Sequence, residues 1–411
     1  MKLSNRLNNV KPSMTLAITS RAASMKAEGI DIVSFGAGEP DFDTPPSVVD
    51  AAKCALDKGM TRYTPVPGMP VLRAAIADWY TREFGIDTTS DHVIVGVGGK
   101  QVIYNALMAL VDVGDRVLIP APYWVSYPAM AYLAGGEPVY VRTTEKTSFL
   151  MTPQALEEAL EENHPKVLIL NSPSNPTGQV YEESLLRDLA EVLRRHPNVM
   201  IIWDNIYAHI TYGDVKHVDF AKVAPDLAER IITTCGFSKS FAMTGWRLGF
   251  AIADPRIIKA MSSIQGHSTS NATSFAQAGA IEALKLDHSY LENNRQRFEK
   301  RRGILIDALA KIPDVSLVEP KGAFYALVNV KKYCHTIIDD RIITNDLELA
   351  EYLLVDGHVA CIPGCAFGAE GYLRLSFAMS EEAIAEGVRR IAVALSKLKR
   401  VEGVEPHVFW D

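Results

Sequence analysis

Seven short apolar runs recur between residues 92 and 253: "HVIVGV" (92–97), "RVLIP" (116–120), "PVYVR" (138–142), "KVLIL" (166–170), "VMIIW" (199–203), "RIITTC" (230–235) and "LGFAIA" (248–253). Their Val, Ile and Leu residues are nearly continuous instead of alternating with polar ones. Strands of that kind have both faces covered, as in a mostly parallel sheet held between helices. Helical patterns fall between most of the runs, at 100–110, 153–161 and 183–195. The pattern predicts an α/β fold with a mostly parallel, helix-covered sheet.

The character changes near residue 287. A long charged segment, "DHSYLENNRQRFEKRRGILIDALAK" (287–311), reads as one helix. Strand-like pieces, "AFYALVNV" and "YLRLSFAM", and helices at 346–356 and 380–398 follow it. This predicts a second, smaller α+β domain. A chain of 411 residues is long enough for two. The expected division is 1–45 as an N-terminal arm and part of the small domain, 46–286 as the large domain, and 287–411 as the linking helix and C-terminal small domain.

Composition removes several function classes. The formal net charge is −7, so no basic surplus points to nucleic acid or an anionic membrane. The first residues, "MKLSNRLNNVKPS", lack the apolar core of a signal peptide. The uncharged run 117–136 contains Pro120, Pro122 and Pro128, and reads as a strand plus a loop and not as a membrane span. Five cysteines imply no disulfide framework, which fits a reducing cytoplasm. His358, Cys361 and Cys365 match no standard zinc spacing, and no metal is expected.

Ligands of open α/β sheets bind beyond the carboxyl ends of the strands. The residues that follow each run are therefore informative. They are Gly98-Gly99-Lys100, then Tyr123 and Trp124, then "NSPSNPTG" (171–178), then Asp204 and Tyr207, then Ser238 and Lys239. A Gly-Gly turn opening a helix suits a phosphate. Its context, "GVGGKQ", is neither a dinucleotide fingerprint nor a P-loop. Arg247 adds a planar, permanently charged phosphate ligand. Trp124 offers a ring face. Asp204 closes an apolar strand, where a carboxylate needs a cationic partner such as a protonated ring nitrogen. Tyr207 can donate to a ring oxygen. Phosphate, flat ring, ring nitrogen and ring oxygen together describe pyridoxal phosphate. Lys239, in a dry stretch, completes the set as a Schiff-base amine.

These residues sit in motifs that resemble the class I aminotransferases of the fold-type-I pyridoxal phosphate enzymes. The motifs are "GAGEPDFDTP" (36–45), "RYTPVPGMPVLR" (62–73), "GGKQ" (98–101), "PYWVSYP" (122–128), "NSPSNPTG" (171–178), "DNIY" (204–207), "SKSFAMTGWRLGF" (238–250) and "LRLSFA" (373–378). They span nearly the whole chain. In detail they are similar to the bacterial and plant branch of aspartate aminotransferases, some of which also act on prephenate.

The resemblance implies specific roles. Lys239 is expected to carry the cofactor and then the proton, and Asp204 to keep the ring nitrogen protonated. Tyr207 and Asn175 bond the ring oxygen, and Trp124 stacks on the ring. Gly99, Lys100, Ser238 and Arg247 surround the phosphate. Tyr63 reaches the phosphate of a neighbouring subunit, implying a homodimer. Arg374 clamps the substrate α-carboxylate, helped by Asn175 and Gly38. A second substrate carboxylate falls to Lys100 with Ser13 and Thr15 of "KPSMT" (11–15). The leading pair is aspartate with 2-oxoglutarate; prephenate and an aromatic or alanine-type donor are the alternatives. A lyase or decarboxylase on this fold would keep Lys239, Asp204 and Arg374. Two departures stand out: Asn205, where the family often has Glu, and Gly236, where many members have serine.

Overall fold

The computed structural model describes residues 3–10 and 12–400, so Lys11 of "KPSMT" and the end of the 287–411 segment lie outside the described residues. The seven apolar runs become β1 (Val93–Gly96), β2 (Arg116–Ala121), β3 (Glu137–Arg142), β4 (Val167–Asn171), β5 (Met200–Asp204), β6 (Ile231–Gly236) and β7 (Gly249–Ile252). They form one sheet in the order β1-β7-β6-β5-β4-β2-β3. Strand β7 runs antiparallel to both its neighbours, and every other pair is parallel.

Both faces of the inner strands are covered, which is why their runs are nearly continuously apolar, whereas the edge strand β3 alternates and leaves Tyr140 exposed. Ile94, Ile119, Ile169 and Ile202 pack on one side with Val102, Ile103 and Leu107 of helix Gly98–Leu110. Leu118, Leu168, Leu170 and Trp203 pack on the other with Leu156, Leu186, Leu189 and Leu193. Helix Glu183–Arg195 buries Leu186, Leu189, Ala190 and Leu193, a stripe at helical spacing. Helix Pro153–Asn163 starts where its period begins, because Thr152 caps Ala155 N at 3.2 Å and Pro153 suits the first turn.

A smaller antiparallel sheet follows, in the order Ile362–Pro363, Tyr372–Ser376, Tyr325–Asn329, Ser316–Leu317. Leu373 and Leu375 join the core that holds Phe298, Phe324 and Leu353. Arg374 alternates to the opposite face, since strand side chains have a period of two. The N-terminal segment belongs to this core: Val33 pairs with Val359, and Phe35 is fully buried there. A Cβ at Gly387 of helix Glu381–Ser396 would stand 2.4 Å from the Phe35 ring, so that helix carries glycine where the ring lies against it. The long charged segment is helix His288–Leu309, and its Arg301 holds Asp41 through two hydrogen bonds of 2.6 and 2.8 Å. Among the described residues no helix is long and apolar enough to cross a membrane.

Candidate active site

A cavity of about 520 Å³ opens at the carboxyl edge of the large sheet. Gly99, Lys100, Trp124, Asn175, Asp204, Tyr207, Ser238, Lys239 and Arg247 line it. So do Ser13, Thr15, Gly38 and Arg374, which come from outside the large sheet. Tyr63 lies elsewhere, with 90% of its surface exposed.

Strand direction explains how two cations eight positions apart reach one place. Lys239 lies on the single-turn helix Phe237–Ser240, immediately after β6. Arg247 precedes β7, which runs the opposite way, so the start of β7 and the end of β6 share an edge. Gly98 has φ +80°, and a Cβ there would stand 2.4 Å from Arg247 Nη2. A Cβ on Gly249 would stand 2.3 Å from Gly99 N. Only bare backbone allows the helix start, the guanidinium and β7 to meet this closely. The helix start has no side-chain cap, so its first N–H groups and dipole form an anion site beside Arg247 and Ser238.

Burial pushes the Lys239 ammonium down to about 8; Glu39 opposes this, and Arg247 and Arg374 reinforce it. Lys239 Nζ donates to the carbonyl of Gly38. Asp204 is 5% exposed and is pushed up to about 6 by burial. The Tyr127 hydroxyl, at 2.6 Å, and Ile206 N, at 3.2 Å, donate to its carboxylate and hold it partly ionised. Lys100 Nζ stands 5.0 Å from the centre of the Trp124 ring. Burial and then Arg247 lower the Lys100 ammonium from its usual value.

Arg374 is 2% exposed. It donates to Asn175 Oδ1 and to Gly36 O, both at 3.1 Å, and lies over the rings of Tyr325 and Phe367. Its Nε has no partner, and no described carboxylate pairs with it. Thr15 Oγ1 is likewise buried without a partner. A buried cation with an unused donor calls for an anion that the chain does not supply.

Residues 30–391 match the family model "Aminotransferase class I and II". The chain belongs to this family. It is an aminotransferase. It is 46% identical over 397 residues to a probable aspartate/prephenate aminotransferase of Rickettsia felis, covering 96% of this chain and 97% of that one. It is 44% identical over 396 residues to an aspartate aminotransferase of Geobacillus stearothermophilus, covering 95% and 98%. The aspartate aminotransferase of Rhizobium meliloti superposes with a TM-score of 0.93 at 38% identity, covering 97% of this chain and 100% of that one. The Thermus thermophilus aspartate aminotransferase with maleate gives 0.89 at 38%, covering 96% and 100%.

Several site residues of this aminotransferase were not singled out from sequence. Tyr127 lies inside "PYWVSYP", three residues after Trp124, and its ring meets that ring edge-on. Asn171 receives Asn175 N at 2.9 Å. Tyr325 meets the Tyr207 hydroxyl at 3.0 Å from 118 residues away, with no local signal to announce it. Glu39 accepts a bond from Thr244 at 2.6 Å. The two departures also have a setting. A Cβ on Gly236 would stand 3.1 Å from Gly249 Cα and from Leu248 O, so the strands close where a serine would sit. Asn205 Nδ2 donates to the Tyr80 hydroxyl at 3.0 Å and to Asp219 Oδ2 at 3.2 Å. Asp219 thus puts a buried acid beside the amide, pushed up to about 6 by burial.

Proposed function

We propose that this aminotransferase exchanges the amino group of a dicarboxylic amino acid with a 2-oxo acid, with aspartate and 2-oxoglutarate as the leading pair. The observation that carries this reading is the buried Arg374, without a carboxylate partner, in one cavity with a second cation, Lys100. Arg374 serves the α-carboxylate bidentately, with Asn175 and Gly38 beside it. Lys100, with Ser13 and Thr15, serves the second carboxylate. The relatives' names, aspartate and aspartate/prephenate aminotransferase, support the same class, and prephenate is the next acceptor to test.

The donor set fits pyridoxal phosphate. The helix start at Gly98–Gly99, with Ser238, Arg247 and Lys100, would hold the phosphate. Trp124 would face the ring, Asp204 its nitrogen, and Asn175 and Tyr207 its oxygen. When bound, the cofactor supplies an electron sink for the substrate Cα. Lys239 supplies an amine that is readily neutral and moves a proton between substrate and cofactor. Asp204, ionised once a cation faces it, holds a proton on the ring nitrogen. Burial excludes water and strengthens both interactions.

The exposed Tyr63 supports a homodimer in which it serves the partner's phosphate. The seven-stranded sheet and the smaller sheet support a division at 1–45, 46–286 and 287–411. A cytoplasmic setting fits the sparse, unpaired cysteines.

The deciding experiment is a single-turnover titration of the cofactor-loaded enzyme against aspartate, glutamate, phenylalanine and alanine, following the cofactor absorbance. Fastest loss with aspartate and glutamate is expected. Fastest loss with phenylalanine or alanine would overturn the dicarboxylate reading.

A further inference from the structure

The charges around the cavity are unequal in number. Among the described residues that line it, the cations are Lys100, Lys239, Arg247 and Arg374, and the acids are Asp204 and Glu39. Asp204 is buried, and its two oxygens are engaged by Tyr127 and Ile206. Glu39 is exposed, and Thr244 donates only to its Oε2. No described donor engages its Oε1.

Glu39 directly follows the two carbonyls that the substrate-facing cations hold, and its charge acts on the Lys239 ammonium. Gly36 O accepts from Arg374, and Gly38 O accepts from Lys239. The segment is fixed beyond Glu39 by the paired bonds of Asp41 to Arg301. Glu39 therefore has a defined place beside the Lys239 amine.

An aminotransferase must bind two kinds of substrate in one site. Amino acid and 2-oxo acid carry the same carboxylates, and clamps such as Arg374 treat them alike. They differ in one charge, the α-ammonium. We propose that Glu39 is a substrate-binding residue that receives the α-ammonium of the incoming amino acid, so that it favours the amino donor over the oxo acid. This rests on the placement of the α-carboxylate at Arg374. It does not depend on a second substrate carboxylate.

The test is Glu39→Gln in the cofactor-loaded dimer or monomer as purified. The variant keeps an acceptor for Thr244 and sits at the surface, so folding is retained. The expected result is a KM for L-aspartate raised about tenfold, the size of a lost charge-assisted contact. The KM for 2-oxoglutarate and the inhibition constant of succinate, which lack an ammonium, should change less than about twofold. The aspartate effect should shrink as ionic strength rises. Equal weakening of aspartate, 2-oxoglutarate and succinate would overturn the proposal, as would no weakening of aspartate. If the wild type turns over another amino acid but not aspartate, the dicarboxylate reading fails. The Glu39 comparison then stands on that amino acid and its own oxo acid.

Discussion

Arg374 Nη1 lies 3.1 Å from Asn175 Oδ1, although 199 residues separate them in the chain. Asn175 follows β4 of the large sheet, and Arg374 lies in the smaller one. The bond joins the two sheets at the point where a substrate carboxylate is expected. Asn175→Ala should therefore raise the KM for every substrate, amino and oxo acid alike, by about tenfold. Steady-state kinetics with both half-reactions checks this; an effect on kcat alone would contradict it.

The Lys239 amine is neutral above about 8, well below the ordinary lysine range. Neutral amine is the reactive form, so its fraction grows as pH rises through that value. Cofactor uptake by stripped protein should accelerate with pH, with a midpoint near 8. Stopped-flow absorbance measures it, and a midpoint beyond 10 would refute the dry setting. Lys239→Ala should abolish turnover.

Asp204 is buried and titrates near 6 in the stripped protein, against about 3.9 in an unfolded chain. Its raised value means the folded state binds the proton more tightly. The penalty is absent below about pH 4, grows up to about pH 6, and is full above that. About two pH units correspond to roughly 3 kcal/mol. Asp204→Asn should stabilise the stripped protein by that order at pH 7, with the gain vanishing near pH 4, and should nearly abolish activity. Denaturant melts at both pH values test the sign.

Lys100 Nζ sits over the Trp124 ring and lines the same cavity as Arg374. Lys100→Ala should raise the KM for aspartate at least about tenfold and for phenylalanine far less. Equal effects would place Lys100 with the phosphate instead.

Gly236 faces Gly249 across the β6–β7 pair, and a Cβ on it would stand 3.1 Å from Gly249 Cα and Leu248 O, so a side chain there forces the strands apart by a few tenths of an ångström. Gly236→Ser should cost about 1–3 kcal/mol of stability here. Thermal melts of the stripped protein check it. A stabilised variant would show that the strands part freely.

Much of this was legible in the residues alone. The seven strands and the helices between them follow from local apolar period, because a strand covered on both faces is apolar at nearly every position. Lys239, Asp204 and Trp124 were legible because they follow strands, and parallel strands bring such residues to one edge. Arg374 and Tyr63 were named through the family motifs that contain them. Tyr127 and Glu39 lay inside quoted motifs, yet nothing local distinguished them from packing or surface residues.

Only the tertiary structure decided the rest. The reversed direction of β7 sets Arg247 beside Gly98, and no local period records a strand's direction. Val33 pairs with Val359, and Phe35 enters the core of the smaller sheet, through contacts more than 300 residues apart. Tyr325 reaches Tyr207, and Gly236 closes on Gly249, by packing of separate elements. The sequence determined which elements form and which chemistry they carry, since both are local properties of side chains. The tertiary structure decided which carbonyls, rings and charges surround that chemistry, since burial and distance exist only once the chain has folded.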